Sequence, residues 1–216
     1  MFLRNELLEF SISLAETNVS EVINKILFIA EKCENPQFRG LCFLIKENGD
    51  FEVIASDTFR LARISFPNAV QNPKGKYDFF IALDESPTFI GHLQLKWVSF
   101  SLSKKAIIFQ DGLKINCLRN SPLSSYERLM SKSEKYHLYI SRMEVEGFQD
   151  PANTNYLRFS SPGVSKKIVV NKEYFLDAFK ILGDRLTVAI KEVLDPILIK
   201  GEDRNTIYLL MPIMVP

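Results

Sequence analysis

The side chains that most often do chemistry are few in this chain and widely separated. Its two histidines, His92 and His137, lie in different segments without a carboxylate at metal-ligand spacing. A metal site needs about three or four such donors. None of the nine glycines forms a GxGxxG or P-loop motif that could cradle a phosphate. The pattern predicts no enzyme, no metal and no cofactor, and favours a protein that works by binding.

The three cysteines give no catalytic pattern either. Cys33, Cys42 and Cys117 are far apart, odd in number and set among apolar neighbours, which predicts small buried side chains in a reducing compartment. No apolar stretch reaches the roughly 18 residues of a membrane span, and the N-terminus lacks a signal-peptide pattern. We therefore expect a cytoplasmic location and no membrane partner.

The charge balance restricts how the chain could meet DNA. It carries 27 basic and 26 acidic side chains, a formal net charge of +1, and no long run of lysine or arginine. Proteins that depend on phosphate neutralisation usually show a basic excess or stripe. Any DNA contact should therefore be loose or rest on a local concentration of positive charge.

Hydrophobic periodicity predicts an α+β fold of antiparallel sheets with a few amphipathic helices on one face. The best helix runs from Asn18 to Cys33, and Asn171 begins a second one that ends at Gly183. Strands are predicted over Leu113 to Arg119 and over Tyr136 to Glu146, among others. Residues 1–122 read as strand, helix and three strands, twice; residues 123–216 form a second domain after a connector at 121–134.

Two segments of the chain carry a resemblance to a known family. Val53 to Ala62 reads VIASDTFRLA and is similar to the pattern Ala-Thr-Asp-Gly-x-Arg-Leu-Ala. This pattern belongs to the second domain of the bacterial DNA polymerase III beta subunit, the beta sliding clamp. The segment departs from that pattern at Ser56 and at Thr58, where the family has glycine. If that glycine provides a positive φ, Thr58 must be strained or the turn must differ.

The second segment lies at the end of the chain. Asn171 to Phe179 resembles the family's Asn-x-x-Tyr-Leu-Leu-Asp-x-Leu helix, and 208–213, YLLMPI, resembles its closing strand and Val-Met-Pro-Met ending. The order and spacing of the segments fit the family as well. The family's first domain has no counterpart, and its third domain looks short, with one internal helix in place of two.

The resemblance implies a DNA-replication role as a processivity factor, in which a cleft between two domains accepts short hydrophobic peptide motifs of polymerases and other DNA-processing proteins. Carried over position by position, the peptide-binding residues are Phe38, Ser56, Thr58, Phe59, Arg60, Leu61, Leu129, Pro196, Leu210, Met211, Pro212 and Ile213. Leu61, Leu129, Leu210 and Met211 would form an apolar floor, and Arg60 a donor at the rim. The alternative for Leu61 and Leu210 is that they are core residues.

The resemblance also implies loose contact with encircled double-stranded DNA. The DNA-facing candidates are Lys25, Lys32, Lys172, Lys180 and Arg185; the alternative is a solvated helix face balanced by neighbouring acids. Six clamp domains make a ring, so two-domain subunits would assemble as a trimer. The competing hypothesis is a monomeric clamp-like peptide-binding decoy that does not encircle DNA.

Overall fold

The computed structural model describes residues 8–14, 18–73, 75–95, 97–103, 105–121, 123, 126–130, 136–160 and 167–214. By its internal contacts the chain divides into two compact units. The first comprises Met1–Asp57 and Ile64–Ser124, and the second comprises Thr58–Arg63 and Ser125–Pro216. The short segment Thr58–Arg63 therefore belongs to the second unit, although it interrupts the first in sequence.

The first unit has two antiparallel sheets and two helices. In chain order its elements are β1 (Leu8–Ser13), α1 (Val19–Glu31), β2 (Gly40–Ile45), β3 (Phe51–Ser56), β4 (Arg60–Phe66), β5 (Tyr77–Ala82), α2 (Ser86–Leu93), β6 (Trp97–Leu102), β7 (Ala106–Phe109), β8 (Lys114–Asn116) and β9 (Leu118–Arg119). One sheet has the order β1-β6-β7-β8, and the other the order β4-β3-β2-β5-β9. Only the end of β4, from Ile64, counts with this unit.

Aromatic side chains fill the core of the first unit. Phe43 stacks on Phe79 with ring centroids 5.2 Å apart, and it meets Phe89 of α2 edge-on at 4.7 Å. Phe100 and Phe109 complete the cluster. Edge-to-face and offset contacts are the arrangements that aromatic rings prefer, so they stabilise beyond the area buried. The helix α2 is thereby fixed against β2 and β5.

The second unit repeats the layered arrangement with fewer strands. After α3 (Glu127–Met130) come β10 (Tyr136–Ser141), a 3-10 helix (Arg142–Phe148), β11 (Gln149–Asp150), β12 (Asn153–Phe159), β13 (Ile168–Asn171), α4 (Lys172–Leu182), β14 (Arg185–Ile190), β15 (Ile197–Lys200) and β16 (Thr206–Leu210). One antiparallel sheet has the order β10-β14-β15-β16, and Thr58–Arg63 at the start of β4 lies beside β16. The other sheet has the order β11-β12-β13.

The helix α4 packs its apolar face into the second unit. Phe175 lies 5.3 Å from Phe159 of β12 and 5.8 Å from Phe179 between ring centroids, and all three are buried. The Asn171 side chain accepts from the Tyr174 N–H at 3.1 Å and caps the helix. Gly183 ends the helix at a φ of 94°. Both ends agree with the prediction, because cap chemistry is local.

The predicted fold class is confirmed: the sheets are antiparallel and the helices few and amphipathic. The predicted first helix is also present, although it ends at Glu31, two residues before Cys33. Asn18 accepts from the Glu21 N–H, as the capping box predicts. Much of the predicted connector at 121–134 lies outside the described residues.

The strand predicted from Tyr136 to Glu146 is wrong beyond Ser141. A 3-10 helix begins there because Glu144 accepts from both the N–H and the Oγ of Ser141, at 2.8 and 2.7 Å. This reciprocal cap satisfies backbone groups at a helix start, and it outweighs the alternating pattern of the sequence. The second unit therefore has this 3-10 helix as well as α4, and the prediction of one internal helix is also wrong.

The strand predicted from Leu113 to Arg119 is two strands. β8 pairs with β7, whereas β9 pairs with β5 of the other sheet, and Cys117 lies between them. The Cys117 N–H donates to the Lys105 carbonyl at 2.9 Å. A strand that changes sheets keeps its alternating pattern, so the sequence alone does not reveal the break.

Candidate functional site

The candidate site begins at a strained turn. Thr58 has a φ of 77°, as the comparison with the family's glycine predicts for this position. A β-branched residue rarely adopts this conformation, since its Cβ crowds the backbone. The turn is followed by Phe59, which is 58% exposed, and by Arg60, which is buried. The side chains of Phe59 and Arg60, which are adjacent at the start of β4, thus point in opposite directions.

Arg60 forms a buried ion pair and does not line a rim. Its guanidinium donates to the Asp177 carboxylate of α4, and both side chains are fully buried. It also lies over the ring of Tyr174, 4.2 Å from the ring centroid. The prediction of a donor at the rim is therefore wrong, because the guanidinium pairs with the Asp177 carboxylate inside the unit.

Asp177 is held ionised by two cations. Burial by itself would raise the pKa of this carboxyl, but hydrogen bonds from Lys180 and Arg60 bring the pKa below its ordinary value. Lys180 lies one helical turn further on α4, and its side chain is mostly exposed. The group thus links the turn at Thr58 to the surface of α4.

Phe59 is positioned by its backbone and by Tyr174. Its carbonyl accepts from the Met211 N–H at 2.8 Å, and its ring lies 6.2 Å from that of Tyr174. Tyr174 in turn is held by Tyr208, whose hydroxyl donates to the Tyr174 carbonyl at 2.8 Å. An exposed aromatic ring on such a fixed backbone is a preorganised apolar contact.

The apolar end of the chain lies in the same unit. Met211, Pro212 and Ile213 are half-buried, and the Ile213 N–H donates to the Val169 carbonyl of β13 at 2.8 Å. Met214 is 76% exposed. The tail therefore runs from Phe59 to β13 as an ordered segment that presents part of its apolar surface to solvent.

Several predicted site residues contribute to the core. Leu61 is 5% exposed, Leu210 is fully buried, and Pro196 is buried as well. Their burial agrees with the core alternative for Leu61 and Leu210. Of the predicted apolar floor, Leu129 of α3 and Met211 keep exposed surface.

Two predicted residues belong to the first unit. Ser56 is buried at the end of β3, and Phe38 is half-buried in the segment before β2. The assignment of both to a peptide-binding site stays a prediction.

The DNA-facing candidates occupy different surroundings. Lys25 and Lys32 are exposed on α1, which also exposes Glu21 and Glu31. Lys172 is half-buried at the start of α4, whereas Lys180 is paired with Asp177. Arg185 lines an open depression of about 490 Å³ together with Glu144 and Glu202. Acidic side chains therefore accompany most of these cations.

Two residues of the site were missed as such by sequence reasoning. Tyr174 holds Phe59, and Asp177 neutralises Arg60, yet neither was assigned a role in the site. Their three-residue spacing on a helix places them on one face, which is the signal that could have found them. The pairing of Asp177 with Arg60 could not be deduced from the sequence, because the two residues lie 117 positions apart.

The cysteines show no sign of reactivity. All three are free and buried. Burial raises the pKa of the Cys42 thiol to about 12 and that of Cys117 to about 11. The described residues contain no group of three or more His, Cys, Asp or Glu side chains that could hold a metal ion. In the same part of the chain, no helix is long and apolar enough to cross a membrane.

The fold of the chain is that of the sliding clamps. Solved structures that match it include beta subunits of DNA polymerase III, which confirms, at the level of the fold, the resemblance seen in the sequence. The Pseudomonas aeruginosa subunit superimposes with a TM-score of 0.73 at 15% identity, over 100% of this chain and 69% of that chain. The Thermotoga maritima subunit gives 0.69 at 14%, over 100% and 68%.

A third similar structure is the Helicobacter pylori beta clamp bound to a DNA ligase peptide. It superimposes with a TM-score of 0.69 at 13% identity, over 99% of this chain and 67% of that chain. No protein-family model matches the sequence, and no curated protein matches it. The likeness to the clamps therefore lies in the fold.

Proposed function

We propose that this chain binds short hydrophobic peptide motifs of DNA polymerases and other DNA-processing proteins through the surface of its second unit around Phe59. The observation that carries the proposal is the exposed Phe59 ring, fixed by Tyr174 and by the Met211 backbone. A peptide gains most from apolar side chains that are already ordered, since little entropy is then lost on binding.

Further apolar side chains of the second unit keep exposed surface. Leu129 is 38% exposed, and Met211, Pro212 and Ile213 are half-buried. Methionine adapts its shape to different apolar partners, which suits a site for several peptides. The matching Helicobacter pylori beta clamp carries a DNA ligase peptide, and this gives the proposal its choice of partner.

A fluorescent peptide with the clamp-binding segment of a DNA ligase provides the test. We expect saturable binding by anisotropy, and Phe59→Ala should weaken it by about tenfold or more, the loss of roughly 1.4 kcal/mol or more at a central aromatic contact. Met143→Ala is the matched control, because Met143 is also an exposed apolar side chain of the second unit. Equal affinity of all three proteins, or no binding, would refute the proposal.

The proposal also takes residues 1–122 and 123–216 as counterparts of the clamp's second and third domains, working in DNA replication in the cytoplasm. The chain could act as a ring that encircles DNA or as a form that does not encircle it. One observation favours the second form. The second sheet of the second unit has three strands among the described residues, whereas the corresponding sheet of the first has five.

The missing strands are identified by their position. In each unit, the strand before the second helix, β5 or β13, pairs with an earlier strand, β2 or β12. β3 and β4 follow β2, but the described residues between β12 and β13 contain no strand. Among the described residues the second unit therefore has no counterpart of the outer strand β4, which ring closure could use, so we favour a peptide-binding regulator over a trimeric ring.

A further inference from the structure

Strand β10 is the last strand of its sheet, and no described strand pairs with the side that faces away from β14. The Arg142 N–H donates to the Asp184 carbonyl at 3.1 Å, toward β14. Backbone groups alternate in direction along an antiparallel strand, so those of His137, Tyr139 and Ser141 point away from β14. The Ser141 N–H confirms this direction by donating to Glu144. No hydrogen bond satisfies the outward groups of His137 and Tyr139 within the described residues.

The equivalent strand of the first unit has its open side covered. The Ser13 N–H donates to the Ala69 carbonyl at 2.8 Å, and the Gln71 N–H donates to the Ser11 carbonyl at 3.2 Å. This cover is the segment directly after β4. Among the described residues of the second unit, none makes such backbone hydrogen bonds with the outward side of β10.

The sequence of β10 does not protect the edge either. Natural edge strands are usually blunted by lysine, proline or a bulge. β10 reads Tyr-His-Leu-Tyr-Ile-Ser and pairs with β14 in regular register over its whole length. Tyr139 is 81% exposed. Such a strand is a template for an additional strand.

A second copy of β10 fits this edge in one register. With His137 opposite Tyr139 of the other copy, each pair exchanges both of its N–H···O bonds, and the four outward groups of His137 and Tyr139 in each copy are satisfied. With Tyr139 opposite itself, the carbonyl of His137 would face Ser141 of the other copy. That position offers no donor, because the Ser141 N–H is engaged by Glu144.

Charge supports the same register. Glu144 accepts from the N–H and the Oγ of Ser141, so its carboxylate lies at the end of the outward row, on the face that carries the Tyr139 ring. These bonds lower the pKa of the Glu144 carboxyl. The His137 side chain of the other copy lies on that face beside Tyr139, where its imidazole N–H can donate to the carboxylate. The two-fold symmetry repeats this contact.

We propose that two copies of this chain join antiparallel through β10, edge to edge, with Leu138 at the two-fold axis. The contact is isologous and closes after two copies, unlike a ring of three. This contact lies at the β10 edge and not at the surface around Phe59, so it does not depend on peptide binding.

Light scattering after gel filtration gives the first test. The full chain should have the mass of two 24.8 kDa copies at high concentration. Tyr139→Pro removes an outward N–H and should give a monomer, while Tyr139→Thr keeps it and should still dimerise. Unfolding curves of both variants establish that they are folded. A wild-type monomer at every concentration, or a trimer unchanged by Tyr139→Pro, would overturn the proposal.

Cross-linking tests the register without a variant that weakens the strand. In the proposed register Leu138 faces its own copy at a Cα separation of about 4.5 Å, within the range of a disulfide. Leu138→Cys should form a linked dimer under mild oxidation. Tyr139→Cys should not, because its copy lies diagonally, beyond the roughly 7 Å limit. The native cysteines are buried and do not compete. A linked dimer of the Tyr139→Cys variant, with none of Leu138→Cys, would overturn the register.

Discussion

At the scale of single residues, the turn at Thr58 shows how a strained backbone positions the side chains of Phe59 and Arg60. A residue without a Cβ would adopt a φ of 77° at no steric cost, whereas threonine is strained there. The strain is tolerated because Arg60 is anchored to Asp177 and the Phe59 carbonyl to Met211. Phe59 is thereby held outward.

Thr58→Gly should stabilise the protein by about 0.5–1 kcal/mol. Relief of about 1–2 kcal/mol of left-handed strain is partly offset by the larger entropy of glycine in the unfolded chain. The urea midpoint measures the change. Thr58→Ala is the control, since alanine keeps the Cβ and should bring no gain. A lower midpoint for Thr58→Gly than for Thr58→Ala would show that the turn is not strained.

The buried pair of Arg60 and Asp177 should be costly to break. Asp177→Asn removes the charged partner that α4 supplies to the buried guanidinium, and breaking a buried ion pair costs about 3–5 kcal/mol. Chemical denaturation gives the free energy of unfolding. Lys180→Ala removes the exposed partner of the same carboxylate and should cost only about 0–1 kcal/mol. Similar losses for the two variants would mean that the pair contributes no more than a surface salt bridge.

At the scale of elements, α4 connects the site with the core. Asp177 and Tyr174 face Arg60, while Phe175 and Phe179 enter the aromatic core of the second unit. The helix begins directly where β13 ends, because Asn171 is both the last strand residue and the cap. The start of the helix is therefore marked by one side chain.

Asn171→Ala should lower the free energy of unfolding by about 1 kcal/mol, because the Tyr174 N–H loses its acceptor. Thermal unfolding monitored by circular dichroism measures the loss. Asn171→Asp preserves an acceptor at the helix start and should be close to the wild type. If both variants behaved alike, the cap would not be what stabilises the start of α4.

At the scale of the whole molecule, the net charge of +1 and the short sheet of the second unit are the features that bear on DNA. A ring retained by topology stays on circular DNA at high salt, whereas phosphate contacts are lost as salt rises. A ring and a protein held by phosphate contacts thus differ in whether they stay on circular DNA at high salt.

We expect the chain to elute from circular and linear DNA at the same salt concentration. The substitution of Lys25 and Lys32 by alanine should shift that concentration downward for both DNA forms, because each lysine contributes charge alone. Retention is measured by gel filtration of protein mixed with nicked circular or linearised plasmid. Retention on the circle alone at high salt would support a ring and contradict the form we favour.

The sequence by itself determined the fold class and the helix caps, and the family resemblance predicted either strain at Thr58 or a different turn. The caps follow from local chemistry, since Asn171 precedes a helical pattern. The sequence also predicted the internal repeat of strand, helix and three strands in the first 122 residues. Local signals suffice for these features because the interacting groups lie within a few residues of each other.

Only the tertiary structure decided the role of Arg60 and the path of 113–119. The carboxylate that pairs with Arg60 is distant in sequence, whereas the cap that ends β10 is a local contact that the alternating pattern of the strand concealed. Burial likewise placed Leu61 and Leu210 in the core although their types suit a peptide-binding floor. An apolar residue looks the same in sequence whether a partner or the protein itself covers it, because the hydrophobic effect depends only on the area removed from water.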